Sequence, residues 1–261
     1  MLPNSQSLYK KLLINNQVVY VLAESISKLK RRNPVRRFKL GLNLTPPYLF
    51  FFLAGQRFMS KILLVLATHN RGKKREYELS LKELPIEIKG LSEFRRIPEF
   101  EEEGSSFKEI AIKKAQFASR ILDVPALADD SGLEVDCLNG APGILSARYS
   151  GKSANDYQNN RKLLEEMSGE KNRGATFVCS IAIAKPSGQV LTYTGRCSGI
   201  ILNEPAGTNG FGYDPLFFYP PLNKTFAQLS VEEKNRISHR GQAIRILKDD
   251  FMKALIWLED T

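Results

Sequence analysis

A short run of leucine and β-branched residues at 61–67 leads directly into a polar loop, Thr68 to Lys73, and then into a helical pattern over 72–84. An apolar run this short, bounded by polar residues, reads as a buried strand. Strand, loop and helix in immediate succession restrict the chain to folds that pack helices on a sheet. Further along, Ser106 and Glu109 have capping-box spacing, which predicts a helix to about Leu122. Residues 126–129 read as a strand ending in acid, 133–138 as a second short strand, and 153–167 as a helix. Residues 175–184 and 189–201 flank a turn at 186–188 and read as a hairpin. Ser230 and Glu233 form another capping box, and 240–258 reads as one closing helix. An α/β fold with a long mixed sheet fits this order.

The net charge of +10 suggests an anionic partner, but it is unevenly distributed. Residues 1–58 hold ten Lys or Arg against the single acid Glu24, while the remainder holds 28 basic and 27 acidic residues. The basicity therefore belongs to the leading segment. Residues 1–58 read first as an upstream extension without function, with Met59 as the natural start of a domain spanning 59–261. Two alternatives stay open: a targeting leader, or a nucleic-acid-binding arm through the basic stretch 28–39. No run approaches the ~20 apolar residues of a spanning helix. Three separated cysteines, Cys137, Cys179 and Cys197, argue against a disulfide framework and fit a reducing, cytoplasmic compartment. Only His69 and His239 are present, which leaves little for a multi-histidine metal site.

Four segments carry more polarity than folding needs. The loop Thr68, His69, Asn70, Arg71, Gly72 and Lys73 enters a helix N-terminus, where unpaired amides and the helix dipole favour an anion. An ordinary capped turn is the plain alternative. Residues 101–103 are three acids followed by Gly104 and the second helix. On that helix Phe107, Ile110, Ala111, Ala115, Ala118, Ile121 and Leu122 form an apolar stripe with Lys114 in its middle. An ammonium facing inward needs an anionic partner, either a structural acid or a phosphate. Asp129 and Asp130 at a strand end should point to opposite sides, one toward a cleft and one tying down the loop. A carboxylate there, with one from 101–103, suits Mg²⁺. Finally, Phe211, Gly212, Tyr213 and Asp214 precede Lys234, His239 and Arg240, an aromatic and cationic set suited to stacking a base and donating to a keto oxygen, with surface charge at a helix entry as the plain alternative.

Three stretches, LATHNRGKKREYEL, ADDSGLEVDCLNGAPGILSARYSG and GTNGFGYDPLFFYPPLNKTFAQLSVEEKNRISHRGQAI, resemble the inosine triphosphate pyrophosphatase family, the dITP/XTP pyrophosphatases. The resemblance spans essentially all of residues 59–261, and residues 1–58 have no counterpart. It implies an elongated, two-lobed α/β fold around a central cleft, a homodimer, Mg²⁺, and cleavage of a nucleoside triphosphate to monophosphate and pyrophosphate. The substrates implied are ITP, dITP and XTP. By the same resemblance Thr68, Asn70 and Lys73 hold phosphates, with Lys114 nearby. Asp130 is the general base and shares the metal with Glu102. Ser131 contacts substrate, Phe211 to Asp214 form the base-side loop, and Lys234, His239 and Arg240 read the 6-oxo purine. Arg240→Ala should then lose preference for ITP over ATP more than turnover. The family often has Asn where this chain has Ile110, and Gly where it has Asn223. Two rivals are a related pyrophosphatase acting on modified pyrimidine nucleotides and a nucleic-acid-binding protein working through the basic segment.

Overall fold

The computed structural model describes residues 9–14, 17–22, 61–94, 97–98, 100 and 103–260. They fall into two units, Met1–Ser60 and Lys61–Thr261. In the first unit, β1 (Tyr9–Ile14) and β2 (Gln17–Leu22) pair antiparallel from Tyr9↔Leu22 to Ile14↔Gln17. No strand is anticipated there, although two β-branched and leucine runs flanking Asn15 and Asn16 carry a hairpin signal. The basic stretch 28–39 lies outside the described residues.

The second unit is built on a seven-stranded sheet in the order β4-β3-β5-β6-β7-β8-β9. Its strands are β3 (Ile62–Leu66), β4 (Ile86–Gly90), β5 (Ala126–Val135), β6 (Gly174–Ala184), β7 (Val190–Ile201), β8 (Phe217–Tyr219) and β9 (Lys224–Thr225). β3 runs parallel to both neighbours, and every later pairing is antiparallel. The helices are α1 (Arg71–Leu81), α2 (Phe107–Leu122), α3 (Asp156–Glu166), α4 (Val231–Ile237), α5 (His239–Asp249) and α6 (Phe251–Glu259). The mixed sheet agrees with the α/β expectation.

The long strands β5 and β6 divide the core. At one end Leu127, Ile181 and Ile183 pack with Leu66, Tyr77, Leu247 and Phe251. At the other, Leu133, Val135 and Phe177 pack with Leu163, Phe217 and Phe226. Each such side chain contributes about 1.5–3 kcal/mol on burial. Asp129, Asp130 and Ser131 occupy the β5 positions between these two apolar clusters. Under α2, small residues (Ala111, Ala115, Ala118, Ala126, Ala128, Ala182) let the helix lie close on the sheet. A Cβ on Gly195 of β7 would sit 2.2 Å from the His239 carbonyl, so this glycine lets α5 press against the sheet.

Four local expectations are corrected. The two strands expected at 126–129 and 133–138 are one, because β6 pairs with every residue of β5 through Ser131 and Gly132. That ladder overrides the weak strand preference of Ser and Gly. The closing helix breaks at Asp250, where Asp249 and Asp250 meet the negative end of the α5 dipole and Tyr193 donates to the Asp250 carboxylate at 3.2 Å. The box at Ser106 is half formed: its Oγ accepts from the Glu109 amide, but Glu109 turns to Ser105 and Lys113. Ile121, placed on the apolar stripe, is 43% exposed. The box at Ser230 is complete.

Candidate active site

The loop leaving β3 is organised by its own side chains. Thr68 Oγ1 accepts from the Asn70 amide at 3.2 Å, and Asn70 Oδ1 accepts from the Lys73 amide at 2.9 Å. Asn70 thus caps α1, while His69, Asn70 and Arg71 are exposed at its N-terminus. Gly72 allows a close approach to its backbone, and the ring of Phe211 occupies that space, 2.4 Å from where an added Cβ would lie.

Lys73 and Glu76 are three residues apart on α1 and share a face. Lys73 Nζ lies 3.1 Å from Asp129 Oδ2, and Glu76 binds Lys234 at 2.9 Å and Arg240 Nη1 at 2.5 Å. Arg240 Nη2 reaches Asp129 at 3.0 Å and donates to Ser131 Oγ at 2.8 Å. Lys234 Nζ continues to Asp214 Oδ2 at 2.5 Å. The result is a buried chain of alternating charge, Lys73–Asp129–Arg240–Glu76–Lys234–Asp214, running from the polar loop to the aromatic one. On the opposite side of β5, Asp130 Oδ1 lies 3.8 Å from Lys114 Nζ, with side-chain exposures of 10% and 14%. The alternation read from the sequence therefore separates the two aspartates, and the inward-facing lysine has an acid beside it.

Burial opposes ionisation of Asp129, yet Lys73, Arg240 and Lys114 outweigh it and hold its carboxyl well below the usual carboxylate range. Burial likewise opposes Glu76, and Arg240 with Lys234 outweighs it. For Asp214 burial wins over Lys234, and its carboxyl is pushed up. Burial, then Arg240 and Lys234, depress the imidazole of His239 well below its ordinary value. That ring stacks on Phe177 at 4.6 Å, and its Nδ1 is buried without a partner among the described residues.

A pocket of about 100 Å³ opens between α1 and α4, lined by Gly72, Arg75, Glu76, Phe211, Phe226 and Lys234. Lys234 Nζ lies 4.5 Å from the centroid of the Phe211 ring and 5.7 Å from that of Phe226. Not every predicted base-side residue faces this pocket. Tyr213 is turned into the second apolar cluster and donates from its hydroxyl to the Ser146 carbonyl at 2.9 Å. Arg240 is 1% exposed and committed to carboxylates, so it supports the pocket from behind. Glu102 lies outside the described residues.

The Ham1 family profile matches residues 64–250. The chain belongs to the Ham1 family. This Ham1 chain is 54% identical over 197 residues to a dITP/XTP pyrophosphatase of Desulfotalea psychrophila, covering 76% of this chain and 88% of the relative. It is 50% identical over 188 residues to a dITP/XTP pyrophosphatase of Geobacter sulfurreducens, covering 71% and 94%. Among solved structures, a HAM1 protein from Coxiella burnetii aligns with a TM-score of 0.68 at 42% identity, over 74% of this chain and 99% of that one. The Staphylococcus aureus Ham1 protein aligns with a TM-score of 0.66 at 42% identity, over 74% and 98%.

Sequence reading of this Ham1 chain misses Glu76, the carboxylate that joins the two halves of the charge chain. Its spacing from Lys73 on a helix face is the available signal. Its partners, 158 and 164 positions away along the chain, are not predictable from that spacing.

Proposed function

We propose that this chain hydrolyses deaminated purine nucleoside triphosphates (ITP, dITP and XTP) to the monophosphate and pyrophosphate. The reading is carried by one observation: two aspartates at adjacent strand positions each have a lysine beside them, and one of them, Asp129, is joined through Lys73 to the start of α1 and through Arg240 and Glu76 to Lys234 in the aromatic pocket. Relatives at least half identical that are named dITP/XTP pyrophosphatases support the substrate class.

In this mechanism Asp130 orients and deprotonates the water that attacks the α-phosphorus. The exposed amides at the start of α1 and the ammonium groups of Lys73 and Lys114 stabilise the departing pyrophosphate. Asp129 holds Lys73 in place. The ammonium donors of Lys234 face the 6-oxo edge of the base and Phe211 covers it, while His239, buried and stacked on Phe177, stands outside the pocket lining. An amino group in place of the oxo group leaves such donors unpaired, a mismatch that can discriminate by several orders of magnitude. Arg240 acts at one remove, through Asp129 and Glu76.

Among the described residues no three His, Cys, Asp or Glu side chains cluster to hold a metal. Magnesium needs no such cage, because it keeps several waters and takes one or two carboxylates. The hard oxygens of Asp130 suit that requirement, and Glu102, the second ligand the resemblance implies, lies outside the described residues. Magnesium held there would neutralise charge on the phosphate oxygens.

The domain is assigned to residues 59–261, with 1–58 an extension outside the chemistry, and the protein to a cytoplasmic homodimer. Among the described residues no helix is long and apolar enough to cross a membrane. Turnover of ITP, dITP and XTP beside ATP, GTP and dUTP tests the substrate class. Preference for the three deaminated purines supports it, and preference for dUTP transfers the site to the pyrimidine reading.

A further inference from the structure

Gly212, the residue after Phe211, is held by side chains far away in sequence. Its amide donates to Asp156 Oδ2 at 2.7 Å, and its carbonyl accepts from Asn160 Nδ2 at 2.9 Å. Asp156 and Asn160 are one turn apart on α3 and so present their polar groups along one face. Gly212 has φ +62°, and nothing lies within 4 Å of where its Cβ would be. Two hydrogen bonds, not packing around a side chain, therefore fix this backbone. In donating to Gly212, Asn160 leaves its own Oδ1 buried without a partner among the described residues. An unpaired buried acceptor is unfavourable, so the arrangement is not the cheapest way to end a loop.

α3 is a firm anchor for such a grip. Asn155 and Gln158 close a capping box at its start. Asn159 accepts from Ser150 and donates to the Ala147 carbonyl, and Leu163 is fully buried. On the other side the Phe211 amide donates to Asp214 Oδ2 at 2.9 Å, the oxygen that also receives Lys234. Phe211 is thereby held between α3 and the buried charge chain.

We infer that Asp156 and Asn160 are positioning residues that set the Phe211 ring over the purine, tuning affinity and base preference without touching substrate. This rests on the reading of the Phe211 pocket as the base site. The experiment is a set of steady-state constants for ITP and ATP, with a melting curve for each variant. Asn160→Asp is nearly isosteric but turns a carboxylate oxygen toward the Gly212 carbonyl, and Asp156→Ala removes the other bond. Each should raise KM for ITP about five- to tenfold, the loss of one hydrogen bond, and lower the ITP:ATP ratio while kcat changes less than about twofold. Asp156→Asn, which keeps an acceptor at Gly212, should recover most of the affinity lost in Asp156→Ala. In a Phe211→Ala background the Asn160→Asp effect should vanish, because the clamp acts through that ring.

An undiminished Asn160→Asp effect in that background, or a KM unchanged by Asn160→Asp while Phe211→Ala raises it, overturns the clamp. If Phe211→Ala itself leaves KM for ITP unchanged, the base-site reading fails and takes the inference with it.

Discussion

Asp129 takes two hydrogen bonds from Arg240 on a single oxygen, Oδ2, at 3.2 Å from Nε and 3.0 Å from Nη2, with both side chains at most 1% exposed. Lys73 reaches the same oxygen, whereas Oδ1 is buried and unpartnered among the described residues. Arg240 is therefore the cation on which two buried carboxylates, Asp129 and Glu76, depend.

Removing it should injure the fold before it alters selectivity. Arg240→Ala takes one of two neighbouring cations from each acid, leaving Asp129 with Lys73 and Glu76 with Lys234, and breaking a buried pair costs up to about 3–5 kcal/mol. Denaturant unfolding should show a loss up to that size. This revises the sequence-based expectation that the variant mainly lowers the ITP:ATP ratio. Undiminished stability with a lowered ratio would return Arg240 to direct base contact.

Tyr77 offers the opposite case. It is fully buried on the inner face of α1, and its hydroxyl has no partner among the described residues. An unpaired buried hydroxyl costs about 1–3 kcal/mol, so Tyr77→Phe should raise the unfolding midpoint. A lowered midpoint would mean that the hydroxyl is satisfied by an ordered water.

Stability should also fall on mild acidification. His239 is held neutral below its ordinary value of 6.5 by burial, Arg240 and Lys234. Below about pH 6.5 the unfolded chain binds a proton that the folded one refuses, so stability drops by up to about 1.4 kcal/mol per pH unit until the folded group titrates. His239→Gln should flatten that window. A second loss begins below about pH 4.5, where Asp129 and Glu76 of the unfolded chain take up protons that the folded groups, with their depressed values, still refuse. Asp214, raised by burial, titrates with the opposite sign and offsets part of that loss. Melting temperatures of the two proteins across about pH 2–8 measure both windows.

Periodicity carries information only as far as a local element extends. Helical spacing was enough to turn Lys114 inward, and strand alternation was enough to separate Asp129 from Asp130. Both are consequences of backbone geometry within a few residues. The strand through Ser131 and Gly132 looked broken because its continuity comes from β6, about fifty positions on. Glu76 is not singled out by local pattern because Lys234 and Arg240 reach it only after α4 and α5 have packed. Tyr213 shows the converse: a residue inside a conspicuous motif that serves the core. Local pattern found the groups that carry charge, and the long-range contacts decide which of them face substrate.

The central claim, water attack on the α-phosphorus of a deaminated purine triphosphate assisted by Asp130, is tested most directly by hydrolysing ITP in heavy-oxygen water and analysing the products by mass spectrometry. The expected result is equal IMP and pyrophosphate with the label in IMP, and a rate lowered by roughly 10²–10⁴-fold in a folded Asp130→Asn variant. Label in released pyrophosphate or orthophosphate, or wild-type turnover by Asp130→Asn, would contradict it.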